Sequence, residues 1–175
     1  MNKRALINGL IYCAIAIAFK LYILLGGYTF SKFGYNYSII ISIFLIIPFF
    51  FISIYQVREK EYGGIIGGRE AVRIALSVLS VAVVVMSVYN FIEFAWKVQD
   101  LSVEYYNSSV YLERLKEMQA KMPDKIKTED FPKIIQEQLA SLSPFKATTG
   151  KLIPMLLVGL GGAFIAAVLM KKSSK

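Results

Sequence analysis

Two ionisable side chains, Lys20 and Glu93, stand inside stretches that are otherwise apolar, and they are nearly the only groups there able to do chemistry. Charge in an apolar medium is costly, so such residues snorkel to a surface, pair with each other, or serve an ion or proton site. Lys20 comes shortly before Gly26, and Glu93 shortly before Trp96. Their depths are similar, so an ion pair is feasible, and with Asn90 one turn before Glu93 a small polar site is too. All three readings stay open from sequence. What is missing narrows the field further. The chain has no histidine, which removes Ser-His-Asp and Cys-His catalysis, His-ligated metals and His-based pH sensing. Its single cysteine, Cys13, cannot form a disulfide within the chain or build a metal cluster. It reads as a small apolar filler, and Tyr12 just before it argues against a lipid-attachment site. The apolar stretches hold no Asp and no paired carboxylates, so intramembrane proteolysis and metal-assisted hydrolysis lack their acid and base groups. No catalytic residue, no metal ligand and no cofactor is predicted, and the chain is expected not to be an enzyme.

These residues must be positioned by apolar elements. Hydrophobic residues make up 56% of the 175 residues, and they come in blocks: 5–25, 37–57, 71–96 and 152–170. Each block is about the length that crosses a ~30 Å hydrocarbon core as a helix. A soluble globular protein and a disordered chain are both excluded by that pattern. The expected fold is all-α: a four-helix transmembrane bundle with an extracytoplasmic helical hairpin between spans three and four. The expected organisation is 1–96 for spans one to three, 97–151 for the outer segment, and 152–175 for span four with a basic tail.

The charges set the orientation. Lys3 and Arg4 precede span one, Arg58, Lys60, Arg69 and Arg73 surround the loop before span three, and Lys171, Lys172 and Lys175 follow span four. Only Glu59, Glu61 and Glu70 oppose them. The long segment 97–151 is close to charge balance, and long loops carry little orienting information. The reading is therefore that both termini are cytoplasmic. The net charge of +8 is mainly this address and not a nucleic-acid footprint, so no nucleic acid partner is expected. A secretory signal cleaved after Ala16-Ile17-Ala18 is the competing reading of the start, but the apolar run continues through Leu21–Leu25, which favours an uncleaved span.

Several local features bear on function. Tyr28, Phe30, Phe33, Tyr35 and Tyr37 form an aromatic loop suited to the headgroup level. Pro48, near the middle of span two, should kink it. Gly63, Gly64, Gly67 and Gly68, followed by Arg69, permit an unusual turn into span three that lets Ile65 and Ile66 dip into the interface. No Gly-Lys-Ser/Thr follows, so this is not a phosphate-binding P-loop. Ser77, Ser80 and Ser87 suggest close helix contact along span three. Gly159, Ala163 and Ala167, with Gly162 and Ala166 beside them, form a small-residue stripe that predicts close approach of another helix, in this chain or in a second one. In the outer segment, Leu101, Tyr105, Leu112, Leu115, Met118 and Met122 at helical spacing predict a helix over about 100–121, ended at Pro123-Asp124. Asp130 then reads as the N-cap of a second helix, 131–142, and Ser143-Pro144 as the restart into span four. A hairpin of this size is marginal alone and should lean on a membrane, a second copy or another protein.

The arrangement is similar to a known family. A basic start, Arg58-Glu59-Lys60 followed by Gly63-Gly64 and a loop into Ala71, and Leu152–Lys172 with Gly159 together resemble a bacterial four-span membrane family catalogued as domain of unknown function forty-one ninety-nine. Ile66-Gly67-Gly68 stands where that family tends to carry Ser/Thr-Phe. The resemblance implies a multi-pass protein of the bacterial inner membrane and brings no catalytic residues. The function expected is a structural, assembly or interaction subunit whose partners are the lipid bilayer and itself or other membrane proteins. The alternative is a small transporter, channel or ion-coupled component using Lys20 and Glu93.

Overall fold

The computed structural model describes residues 2–123 and 127–172. Asp124, part of the expected helix stop, and Lys175 of the basic tail lie outside the described residues, as does the side chain of Tyr35. Among the described residues the chain is all-α, with no strand beyond one isolated bridge between Ile66 and Lys172. The helices are α1 Lys3–Leu25, α2 Lys32–Phe44, α3 Ile46–Glu61, α4 Gly68–Glu93, α5 Gln99–Tyr106, α6 Ser109–Lys121, α7 Phe131–Ser141 and α8 Pro144–Met170. A π-helical turn, Phe94–Val98, joins α4 to α5.

Local chemistry explains the boundaries. The Asn2 side chain accepts from the N–H groups of Arg4 (2.9 Å) and Ala5 (3.3 Å) and so caps α1. Gly26 and the left-handed Gly27 (φ 73°) end it. Ser31 caps α2 by accepting from Gly34 N–H at 3.0 Å. The predicted span two is two helices meeting at Leu45. Pro48 explains the place: it has no N–H for the carbonyl of Phe44, where α2 ends.

Three helical stretches are long and apolar enough to cross a membrane: Lys3–Leu25, Gly68–Tyr106 and Pro144–Met170. The expectation was four. The interruption at Leu45 leaves α2 with 13 residues and α3 with 16, each short of the ~20 that cross a bilayer in one piece.

The chain divides into two compact units, Met1–Tyr89 with Gly150–Lys175, and Asn90–Thr149. In the first unit one core joins four helices. Tyr12, Cys13 and Ala16 come from α1, Ile46, Phe50, Ile54 and Val57 from α3, Ala71 to Met86 from α4, and Met155, Ala163, Ala166 and Ala167 from α8. The α3 residues recur every three or four positions, which puts them on one helical face. Tyr12 meets Phe49 edge-on at 6.0 Å, so α1 lies against α3. Gly9 of α1 faces Val81 and the carbonyl of Val78 in α4. Gly159 of α8 faces Leu79 in α4, and Gly162 faces Ile47 and Phe50 in α3. The four helices thus close a ring in the order α1, α3, α8, α4. Leu25, Val84, Leu157 and Leu169 remain exposed on the helices, an apolar surface that suits hydrocarbon and not water.

The second unit has a small core of Tyr111, Leu115 and Phe131, with Tyr105, Tyr106, Ile134 and Ile135 packed against it. The single helix expected over 100–121 is divided at Asn107-Ser108. Both side chains turn back on the backbone: Asn107 Nδ2 donates to the Val103 carbonyl (2.8 Å) and Ser108 Oγ to the Tyr105 carbonyl (2.7 Å). Ser108 then caps α6. The break resets the register, so Tyr111 and Leu115 are buried while Leu112, Met118 and Met122 are exposed. Asp130 stands at the N-cap position of α7, as expected, but its side chain makes no capping bond to that helix. It is helical itself, and its carboxylate accepts from Lys127 N–H at 3.2 Å within the short 3-10 turn Thr128–Asp130.

Candidate functional site

Each unit carries polar residues among its apolar helices. Lys20 lies on α1 and is 4% exposed. Its ammonium sits 4.9 Å from the centre of the Tyr89 ring, a cation–π contact within the first unit. Asn90 and Glu93 belong to the second unit and are 7% and 5% exposed. Both ionisable side chains are therefore buried, whereas snorkelling would lay them along the outside of their helices. Glu93 is followed at once by the π-helical turn Phe94–Val98, a feature that recurs at functional sites.

A second polar group was not singled out by the sequence. Asn8, buried on α1, donates from Nδ2 to Ser53 Oγ at 2.9 Å and to Gln56 Oε1 at 3.1 Å, both on α3. Ser53 and Gln56 are three apart and so share a helix face. The signal was available: Asn8 is the one amide side chain in the first apolar block, and a polar group there needs an interhelical partner.

The basic ends of the first unit meet. Arg4 Nε lies 3.2 Å from Glu61 Oε1, and Asn2 Nδ2 donates to Glu61 Oε2 at 2.6 Å, joining the start of α1 to the end of α3. Ile66 and Lys172 exchange two backbone hydrogen bonds, 2.9 and 3.0 Å, and Arg58 donates to the Met170 carbonyl at 3.3 Å. The glycine-rich turn makes this join. Gly63 (φ 60°) and Gly64 (φ 87°) take left-handed conformations that side chains rarely adopt. Gly67 and Gly68 do not have positive φ, and Gly68 opens α4 ahead of Arg69. Ile66 is buried in the protein, while Ile65 stays exposed.

The small-residue stripe on α8 is also placed. Gly159, Gly162, Ala163, Ala166 and Ala167 are buried within this chain, the glycines against Leu79 of α4 and Ile47 and Phe50 of α3. The hydroxyls of Ser77, Ser80 and Ser87 do not reach another helix; each donates to the carbonyl one turn back, at 2.9, 2.8 and 2.6 Å. Close approach to α4 comes instead from Gly9, Ala71, Ala75 and Ala82.

In the second unit, Tyr105, Tyr106 and Tyr111 form a triangle of rings 4.9–5.6 Å apart, and Arg114 donates to the Tyr105 hydroxyl at 3.2 Å. Burial, then the neighbouring Tyr106 and Tyr105, push the Tyr111 phenol above its ordinary range, with Arg114 opposing. Among the described residues no three His, Cys, Asp or Glu side chains gather as a metal site would require.

Residues 3–172 match the family described as "Protein of unknown function (DUF4199)". No curated protein and no solved structure matches the chain.

Proposed function

The chain belongs to the DUF4199 family, and from that premise we propose that it is a non-enzymatic four-span protein of the bacterial inner membrane, working as a structural, assembly or interaction subunit of a membrane complex. In this reading α2 and α3 cross together as a broken second span. Both termini are cytoplasmic, and residues 97–151 are extracytoplasmic. The observation that carries the interaction role is the second unit. About sixty residues fold around an apolar cluster of three buried side chains, Tyr111, Leu115 and Phe131, besides a few others buried singly, and leave Val110, Leu112, Met118, Met122 and Phe145 exposed. So small a core is marginal for an independent domain, and apolar surface outside the bilayer is surface for a partner. The partner is a second copy or another membrane protein. The stripe on α8 does not supply this contact, since it is already used within the chain.

The test is photo-crosslinking in native membranes from Val110 and Met118, with native mass measurement of the purified chain in mild detergent. A specific adduct from these positions, lost when Phe145 and Leu112 are changed to Ser, supports the reading. A monomer with no adduct from either position refutes it.

A second reading is a small transporter, channel or ion-coupled component using Lys20, Asn90 and Glu93. The burial of all three and the π-helical turn after Glu93 support it. Glu93→Gln leaving growth and ion flux unchanged removes it.

A further inference from the structure

An open groove of about 970 Å³ runs along α4 in the first unit, and its lining changes character along its length. At one end stand Tyr62, Arg69 and Arg73; further along come Leu76, Ser77 and Ser80. Positions 69, 73, 76, 77 and 80 fall on one face of the helix. Arg69 and Arg73 are exposed, one turn apart, and among the described residues neither has an ion-pair partner. Like charges at that spacing repel unless an anion lies between them. Glu70 also lines the groove, but its carboxylate is turned back against Gly67. The Ser77 and Ser80 hydroxyls are spent on the carbonyls of Arg73 and Leu76, so this stretch presents little free polarity beside Leu76. The groove is cationic at the basic end of the bundle and apolar below it.

From this profile we propose that the groove seats one anionic glycerophospholipid of the surrounding leaflet. Its phosphate lies between the Arg69 and Arg73 guanidiniums, Tyr62 stands at headgroup depth, and an acyl chain runs past Leu76, Ser77 and Ser80. Guanidinium is suited to bidentate contact with phosphate oxygens. The same end carries Arg4, Arg58, Lys171 and Lys172, so its field selects an anionic headgroup over a zwitterionic one. This inference rests on the membrane reading above and adds to it a specific lipid.

The full chain is reconstituted into nanodiscs of equal parts phosphatidylglycerol and phosphatidylcholine, and the lipid carried into mild detergent is identified by native mass spectrometry. One retained phosphatidylglycerol is expected. Retention should fall roughly thirtyfold in the double variant Arg69→Gln/Arg73→Gln. It should also fall in Ser80→Trp, which fills the apolar stretch. It should fall much less in Lys171→Gln/Lys172→Gln, which removes as much charge from the same end but outside the groove. Undiminished retention in the arginine or tryptophan variant, equal loss in the lysine variant, equal retention of phosphatidylcholine, or displacement by inorganic phosphate alone would each overturn the proposal. Alkaline carbonate extraction of the same proteins tests the membrane reading separately: release from the membrane fraction would sink that reading, whereas failure of lipid retention in a fully embedded protein sinks only this one.

Discussion

Three glycines in α1 and α8 give a graded test of where the helices touch. Alanine at any of them gains helix propensity, about 1 kcal/mol in a helix interior, and that gain is common to all three. The environments differ. A methyl group on Gly9 would stand 3.0 Å from Val81 Cβ and 3.2 Å from the Val78 carbonyl oxygen. Neither can rotate away, because one is a branch point and the other is backbone of a buried turn of α4. Overpacking of this kind costs about 1–3 kcal/mol, so Gly9→Ala should lose about 1 kcal/mol net. At Gly159 the obstacle is Leu79 Cδ1 at 2.5 Å, the far end of a flexible side chain, and the two effects should nearly cancel. At Gly161 nothing lies within 4 Å, so Gly161→Ala should gain up to about 1 kcal/mol. The assay is reversible unfolding in mixed micelles with rising dodecyl sulfate, followed by circular dichroism at matched protein concentration. The expected order of stability is Gly161→Ala, then Gly159→Ala, then Gly9→Ala, with about 2 kcal/mol between the extremes. A Gly159→Ala protein less stable than Gly9→Ala would refute the placement of α1 against α4.

In the same assay, Asn8→Ala should lose about 0.6–1.7 kcal/mol, and a cycle with Ser53→Ala should show coupling, since each removes the same interhelical bond; strict additivity would sink the network. Gly64→Ala forces a side chain to φ 87°, at a cost of about 1–2 kcal/mol, and should speed hydrogen exchange at Ile66 and Lys172, whose bridge follows that turn; unchanged exchange there would count against the strained turn. Because burial raises the folded Tyr111 phenol above its ordinary 10.0, the unfolded chain ionises first: this contribution to the second unit is whole below about pH 10 and is lost as pH rises through the folded value. Tyr111→Phe should remove that part of the alkaline loss, read by near-ultraviolet circular dichroism, and an identical alkaline profile would contradict it.

The all-α class and the basic end were legible because they depend on composition and on charges beside apolar blocks, which survive any detail of packing. The place of the break in the second apolar block was legible too, since a proline disables the carbonyl four residues back wherever it sits. Contacts between helices were harder. Asn8 and Ser53 are 45 residues apart, and nothing in either segment says which faces will meet. Nor did spacing alone reveal that the serines of α4 bond to their own helix, because the same spacing serves both roles. In the second unit, two polar residues at Asn107-Ser108 outweighed a long apolar period and moved Tyr111 into the core in place of Leu112.

The fate of the α8 stripe bears most on function. A small-residue face could have met another chain, and a homo-oligomer would then follow from span four. Here that face is filled by Leu79, Ile47 and Phe50 of the same chain. Freeing it would expose Ala163, Ala166 and Ala167 and undo two sides of the ring at once. The contact proposed with a second copy or another protein must therefore lie elsewhere, and the surfaces left are of two kinds. The outward Leu, Ile and Phe side chains of the four helices suit lipid, which competes with any protein partner for them and gives no hydrophobic drive to association. The part of the second unit beyond Trp96 faces no such competition in the proposed topology, and its core is too small to stand alone. A partner of the kind proposed gains most there, so disruption of the proposed complex should map to residues 97–149 and not to the stripe that the sequence made most conspicuous.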